Sequence, residues 1–95
     1  MPVSHDPAIE ELRVEIDRID QLLLRVLSDR AAVVLRIGER KKAAGLAIFD
    51  PRREQDLLDR LVSQAQAPLD RELVLTVFRT IVAECRRLEA GSRDD

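Results

Sequence analysis

Arg30 and Lys41 are two cations of this 95-residue chain whose spacing could do chemistry. They lie eleven positions apart, so at about 100° per residue their directions on an α-helix differ by only ~20°. Both follow the apolar stripe of the same segment, with Cα atoms ~16 Å apart along the axis. Because buried cations are costly unless paired, the pattern favours counterions from the chain or a small molecule with two negative groups. The alternative is that both side chains run along apolar surface and keep their charged ends in water.

The stretch FDPRREQDLLDRL, residues 49–61, places a charge cluster directly after a helix start. Asp50 can cap the helix, and Pro51 fits its first turn, where a missing N–H costs nothing. Asp6-Pro7 starts a helix in the same way but is followed by two apolar residues. Capping therefore explains Asp50 and Pro51, whereas Arg53 and Glu54 are surplus to it and are candidates for a binding wall.

Cys85 and Glu89 lie four residues apart and therefore share one face of a third helical segment. As the single cysteine, Cys85 excludes an intrachain disulfide and reads as a small buried hydrophobe. Glu89 either pairs with Arg30 or Lys41 or is solvated near the helix end.

Helical apolar spacing predicts three helices. The first covers about residues 7–44, with Asp6 as its cap and Gly45 as its terminator. The second runs from Asp50 to a point before Pro68, and the third covers about residues 70–90. The predicted fold class is all-α, with one long helix and two shorter ones.

The unequal helix lengths predict a partner for the first helix. Helices of roughly 25 and 30 Å cannot cover the apolar stripe of one that is ~55 Å long. An intertwined homodimer, a helical bundle with the long helices side by side, is the simplest closed solution. Arg13 would point sideways, toward the neighbouring subunit. The alternative is a first helix that bends or breaks at Gly38, a residue that could also allow a close approach.

Composition narrows the class of protein. We expect one domain over residues 7–90, with tails at 1–6 and 91–95.

The net charge of −2 and the presence of only two aromatic residues argue against a nucleic-acid partner. The absence of a long apolar run or signal-peptide pattern argues against a membrane and favours a cytoplasmic protein. Without a metal-ligand cluster, a glycine-rich phosphate loop or a nucleophile beside a histidine, an enzyme here would bind an anion and act by positioning and electrostatics.

The order of these features resembles the all-helical chorismate mutase family, in its small monofunctional bacterial type. The resemblance rests on LRVEID, LLLRVLSDRAAVVLRIGERK, DPRREQDLLDRL and a final helix with Phe78 and the Cys85/Glu89 pair. It covers about Ile9 to Glu89. It implies an isomerase that converts chorismate to prephenate in phenylalanine and tyrosine biosynthesis, without a cofactor or metal.

The resemblance also implies roles for the charged residues. Arg13 would bind a substrate carboxylate in the partner's active site, and Arg30 would bind one in its own subunit. Lys41 would contact a carboxylate and the ether oxygen, which Glu89 would face from the opposite side. Arg30, Lys41 and Glu89 are thus the expected catalytic residues. Glu89 would have to be protonated to donate a hydrogen bond, so activity should increase as the pH falls from 8 toward 5.

The remaining implied contacts surround the substrate ring. Asp50, Arg53 and Glu54 would form the wall around the ring hydroxyl, with Glu54 accepting its hydrogen bond. Cys85 occupies a position where the family often has serine, and a thiol donates a hydrogen bond only weakly.

Other functions stay open at this point. Isochorismate pyruvate-lyase and aminodeoxychorismate mutase resemble the family in outline and bind similar dianions. A non-catalytic helical dimerisation or regulatory module is an alternative of another class. Such a module would gain from apolar residues at Arg30 and Lys41, because buried ion pairs are seldom the most stable filling. Binding of another enzyme of the shikimate pathway to this chain also stays open.

Overall fold

The computed structural model describes residues 6–91, which form three α-helices joined by short connections. Helix α1 covers Pro7–Ala44, α2 covers Pro51–Gln64 and α3 covers Arg71–Gly91. Within this range there is no β-strand, which confirms the prediction of an all-α chain. Helix α3 includes Gly91, one residue beyond its expected end. The rest of the two expected tails, residues 1–5 and 92–95, lies outside the described range.

Each helix starts with the same device. Asp6, Asp50 and Asp70 each accept a hydrogen bond through Oδ1 from a backbone N–H two or three positions later, at 2.8, 3.1 and 2.8 Å. A carboxylate in this place satisfies a donor that the first helical turn leaves without a partner. Pro7 and Pro51 follow two of these caps, as the sequence predicted.

Gly45 ends α1 in a left-handed conformation with φ of 68°. The N–H of Leu46 donates to the carbonyl of Lys41 at 2.8 Å, and the N–H of Gly45 donates to that of Lys42 at 3.2 Å. These bonds satisfy carbonyls of the last turn. The chain then turns into the connection that leads to α2.

The described residues fall into two compact units that divide α1 between Arg30 and Ala31. In the first unit the apolar residues of α1 lie largely in solvent. More than half of the residue surface is exposed at each of seven positions: Leu12, Ile16, Ile19, Leu22, Leu23, Leu24 and Val26. The helix is continuous through Gly38, so the alternative of a break at that residue is wrong.

The second unit contains the end of α1 together with α2 and α3. Helices α2 and α3 pack against each other. The buried apolar residues of this unit are Leu58 on α2 and Val74, Val82 and Cys85 on α3. Glu89 continues the same face of α3 and is also buried, so the core of this unit contains an ionisable group.

None of the three helices, as far as the structure describes them, is both long enough and apolar enough to cross a membrane.

Candidate active site

Lys41 and Glu89 form an ion pair within the second unit. Lys41 Nζ lies 3.1 Å from Glu89 Oε1, and their side chains are only 22% and 7% exposed. Lys41 Nζ also donates a 2.7 Å hydrogen bond to the carbonyl of Ile48, in the connection after α1. The ammonium group is therefore held by two oxygen atoms from different parts of the unit. The alternative that Glu89 is simply solvated is wrong.

Gly38 makes this pair possible, because its lack of a side chain leaves space for Glu89 where α1 meets α3. A Cβ atom at this position would lie 2.7 Å from Glu89 Cγ and 3.7 Å from the Glu89 backbone oxygen. The first distance is too short for two carbon atoms, whereas the second is an ordinary contact. The expected close approach at Gly38 is thus confirmed, and the group that approaches is the candidate catalytic carboxylate.

Glu54 is held by an arginine that the sequence analysis did not identify. Arg86 Nη1 lies 2.8 Å from both Oε1 and Oε2 of Glu54. The guanidinium carbon of Arg86 also lies 4.3 Å from the centroid of the Phe49 ring. One signal could have found it: Arg86 follows the buried Val82 by four residues and so shares its side of α3.

The other predicted ring-wall residues have simpler environments. Asp50 caps α2 by accepting from the backbone N–H of Arg53, and both side chains are exposed. Cys85 is a buried free thiol one turn before Glu89, which agrees with its interpretation as a small hydrophobe.

The two predicted arginines of the first unit differ in exposure. Arg13 Nη1 forms an exposed ion pair with Glu10 Oε1 on the same helix, at 2.7 Å. Arg30 is only partly exposed, and its Nη1 atom is buried without a hydrogen-bond partner among the described residues. A buried cationic donor without a partner is costly, so this nitrogen favours an anionic ligand.

Two open grooves border the charged pairs of the second unit. One, with a volume of about 770 Å³, is lined by three cations and one carboxylate together with apolar side chains; the charged residues are Arg36, Glu39, Arg40 and Lys41. The other, of about 290 Å³, is lined by Glu54, Arg86 and neighbouring side chains of α2 and α3. Cationic donors beside apolar surface suit a small organic anion.

The chemistry that these residues can offer is electrostatic. A lysine held at a fixed point can donate to an oxygen atom that gains negative charge during a reaction. A carboxylate whose lone pairs are not all used can accept a hydrogen bond from a ligand hydroxyl. Among the described residues there is no group of three or more histidine, cysteine, aspartate or glutamate side chains placed to hold a metal ion.

Comparison with known proteins connects this geometry to one family. The family model described as chorismate mutase type II matches residues 12–90 of the chain. The bifunctional chorismate mutase/prephenate dehydratase of Aquifex aeolicus (strain VF5) is 36% identical over 85 residues, which are 85% of this chain and 24% of that protein. The chain thus spans about a quarter of the length of this relative.

Solved structures agree with the sequence comparison. The chorismate mutase from Helicobacter pylori in complex with prephenate matches with a TM-score of 0.88 and 28% identity, over 95% of this chain and 98% of that one. Form II of the chorismate mutase from Thermus thermophilus matches with a TM-score of 0.85 and 34% identity, over 87% and 94% of the two chains. The similarity therefore extends over most of each chain.

The contact at Gly38 generates a steric prediction. Gly38→Ala should lower the free energy of unfolding by about 1–3 kcal/mol, because the new methyl group overlaps Glu89 Cγ. In a Glu89→Ala background the same change should be neutral or stabilising by up to ~1 kcal/mol, since Cγ is gone and alanine favours a helix over glycine. Urea unfolding of the four proteins measures both effects. Equal destabilisation in the two backgrounds would contradict a clash with Glu89.

Proposed function

The chain belongs to the type II chorismate mutase family, and from this premise we propose that it catalyses the rearrangement of chorismate to prephenate. The observation that carries the proposal is the buried Lys41–Glu89 pair, with Nζ and Oε1 3.1 Å apart. These are the two residues that the family resemblance assigns to the ether oxygen of the substrate. The prephenate complex of the structurally similar Helicobacter pylori enzyme supports the same assignment of ligand.

The proposed reaction needs no nucleophile. Chorismate is a flexible dianion that rearranges in one unimolecular step once it is folded into a chair-like conformer, so fixing that conformer accelerates the reaction. The C–O bond breaks while a C–C bond forms, and negative charge grows on the ether oxygen. Lys41 donates to that oxygen and stabilises the charge more in the transition state than in the bound substrate.

Glu89 completes the environment of the ether oxygen. An ionised carboxylate would repel the developing negative charge, so the proposal requires Glu89 to carry a proton when the substrate is bound. It can then donate a hydrogen bond to the ether oxygen, which would enter between Lys41 and Glu89 and replace their 3.1 Å contact. The increase of activity with falling pH stays a prediction of the sequence analysis.

The carboxylates of the substrate require further cations. We assign one carboxylate to Arg30, whose buried Nη1 has no hydrogen-bond partner among the described residues. We assign the second carboxylate to Arg13, which would act in the site of a second copy of the chain. The exposed apolar residues of the first unit support such a homodimer, because a large apolar surface in water favours association.

The ring hydroxyl is assigned to Glu54, in a wall that also contains Asp50 and Arg53. Glu54 is three-quarters buried, as suits a group that accepts from a bound ligand. Cys85 is buried one turn before Glu89 on α3 and offers at most a weak hydrogen bond.

The related chemistries have less support. Isochorismate pyruvate-lyase and aminodeoxychorismate mutase would use similar cations, but the relatives described above are chorismate mutases. A purely structural module is disfavoured by the cost of burying the Lys41–Glu89 pair, because an apolar pair of similar size is usually at least as stable.

Removal of Lys41 tests the proposed activity. The purified protein should convert chorismate to prephenate, followed as loss of chorismate absorbance with identification of the product. Lys41→Ala should lower kcat/KM by about 100-fold or more, because a transition-state donor is lost. Lys42→Ala is the matched control, since Lys42 is the exposed neighbour on the same helix turn, and it should stay within about twofold of wild type.

The proposal fails if the wild-type protein leaves chorismate unchanged or releases pyruvate from isochorismate instead. It also fails if Lys41→Ala and Lys42→Ala have equal effects while circular dichroism shows that both variants remain helical.

Mixing two inactive variants tests the donation of Arg13 across a dimer. In a mixed dimer of Arg13→Ala and Lys41→Ala chains, one of the two sites receives Lys41 from one chain and Arg13 from the other. Equal amounts unfolded and refolded together should therefore recover about a quarter of wild-type activity, since half of the dimers carry one intact site. Separately refolded variants are the control. No recovery, with mixed dimers verified by a tag on one chain, would show that Arg13 acts in its own chain or not at all.

A further inference from the structure

Arg86 makes the contact that fixes the side chain of Glu54. One nitrogen, Nη1, lies 2.8 Å from each carboxylate oxygen. The two residues are 32 positions apart, so the pair joins α3 to α2. Both side chains are partly buried, with exposed fractions of 34% for Arg86 and 25% for Glu54.

Phe49 holds the same guanidinium group from a second direction. The guanidinium carbon of Arg86 lies 4.3 Å from the ring centroid, within the range of a cation–π interaction. Phe49 immediately precedes the cap Asp50 in the connection to α2. Arg86 is therefore held between the start of α2 and the carboxylate of Glu54, one turn into the same helix.

The neighbouring Arg87 provides a contrast within the same helix. Its Nε lies 2.6 Å from Glu84 Oε2, and both side chains are more than half exposed, at 69% and 58%. This pair links two residues of one helix three positions apart. Exposed pairs of this kind usually contribute little to stability. The Arg86 pair differs in linking two helices beside a groove that Glu54 and Arg86 both line.

We propose that Arg86 is a positioning residue for the reaction, which holds the Glu54 carboxylate in the orientation that accepts the ring hydroxyl of the substrate. This inference rests on the proposed chorismate mutase function. An ionised carboxylate has about four lone-pair sites, and a single nitrogen between the two oxygens uses two of them. The remaining sites are available to the ring hydroxyl of the substrate, since a quarter of the Glu54 side chain is exposed.

Orientation is the property that the arginine supplies. A glutamate side chain has several rotatable bonds, and ordering it at the moment of binding costs free energy. Arg86 orders it beforehand. Its effect should therefore depend on the presence of the Glu54 carboxylate and should vanish when that carboxylate is absent. A role in folding alone would not show this dependence.

A double-mutant cycle in turnover measures the dependence. Arg86→Ala should lower kcat/KM for chorismate by roughly 10-fold, the lower end of the range for losing a residue that orients a metal-binding side chain, taken here as the analogous case. Glu54→Gln lowers it through the hydroxyl contact itself. In the Glu54→Gln background, Arg86→Ala should change kcat/KM by less than about twofold. Arg87→Ala is the matched control and should stay within about twofold of wild type.

Arg86→Lys provides a second variant that keeps the positive charge in case the alanine variant does not fold. A lysine lacks the planar group that stacks on Phe49 and cannot reproduce the guanidinium geometry. It should restore part of the loss in the presence of Glu54 and should have no effect in the Glu54→Gln background. Thermal unfolding of every variant separates a loss of fold from a loss of orientation.

Three results overturn the inference. Additive effects of Arg86→Ala and Glu54→Gln would assign Arg86 a role that does not depend on Glu54. Equal effects of Arg86→Ala and Arg87→Ala would show that the link between helices has no special importance. A wild-type protein that does not convert chorismate would overturn the proposed function and this inference together, whereas the first two results leave the proposed function intact.

Discussion

The ion pair between Lys41 and Glu89 is the constraint on which the second unit depends. Both side chains are largely removed from water, and a buried charge is tolerated only when it is paired and hydrogen-bonded. Gly38 supplies the space for the carboxylate, and the carbonyl of Ile48 supplies a second acceptor for the ammonium. The turn at Gly45 brings that carbonyl back beside the end of α1. The local backbone geometry therefore stabilises one buried charged contact.

Local signals made the helices predictable. Three aspartate caps and one glycine in a left-handed conformation set four of the six helix ends. The helical spacing also placed Cys85 and Glu89 on one face of α3, which is buried. These features could be read from the sequence because each depends on residues within one or two turns of each other.

Contacts between helices were harder to predict. From the sequence, Glu89 could either pair with a cation or be solvated, because the distance between α1 and α3 depends on a packing contact at Gly38 that no local pattern reveals. Arg86 was not identified at all. Its partners Glu54 and Phe49 are 32 and 37 positions away in the sequence, and an arginine among helical charges reads as a solvated residue. The role of Arg13 rests on the family resemblance alone, whereas the buried Nη1 of Arg30 adds a structural reason to assign it an anion.

A crystal structure of this protein with bound prephenate would test the central claim most directly, namely that Lys41 and Glu89 together face the reacting atoms. The account predicts that Lys41 Nζ and the Glu89 carboxylate both lie within hydrogen-bond distance of the ligand, and that Glu54 accepts the ring hydroxyl while keeping its contact with Arg86. Prephenate bound away from Lys41, or beside an unchanged Lys41–Glu89 pair that does not contact it, would contradict the account.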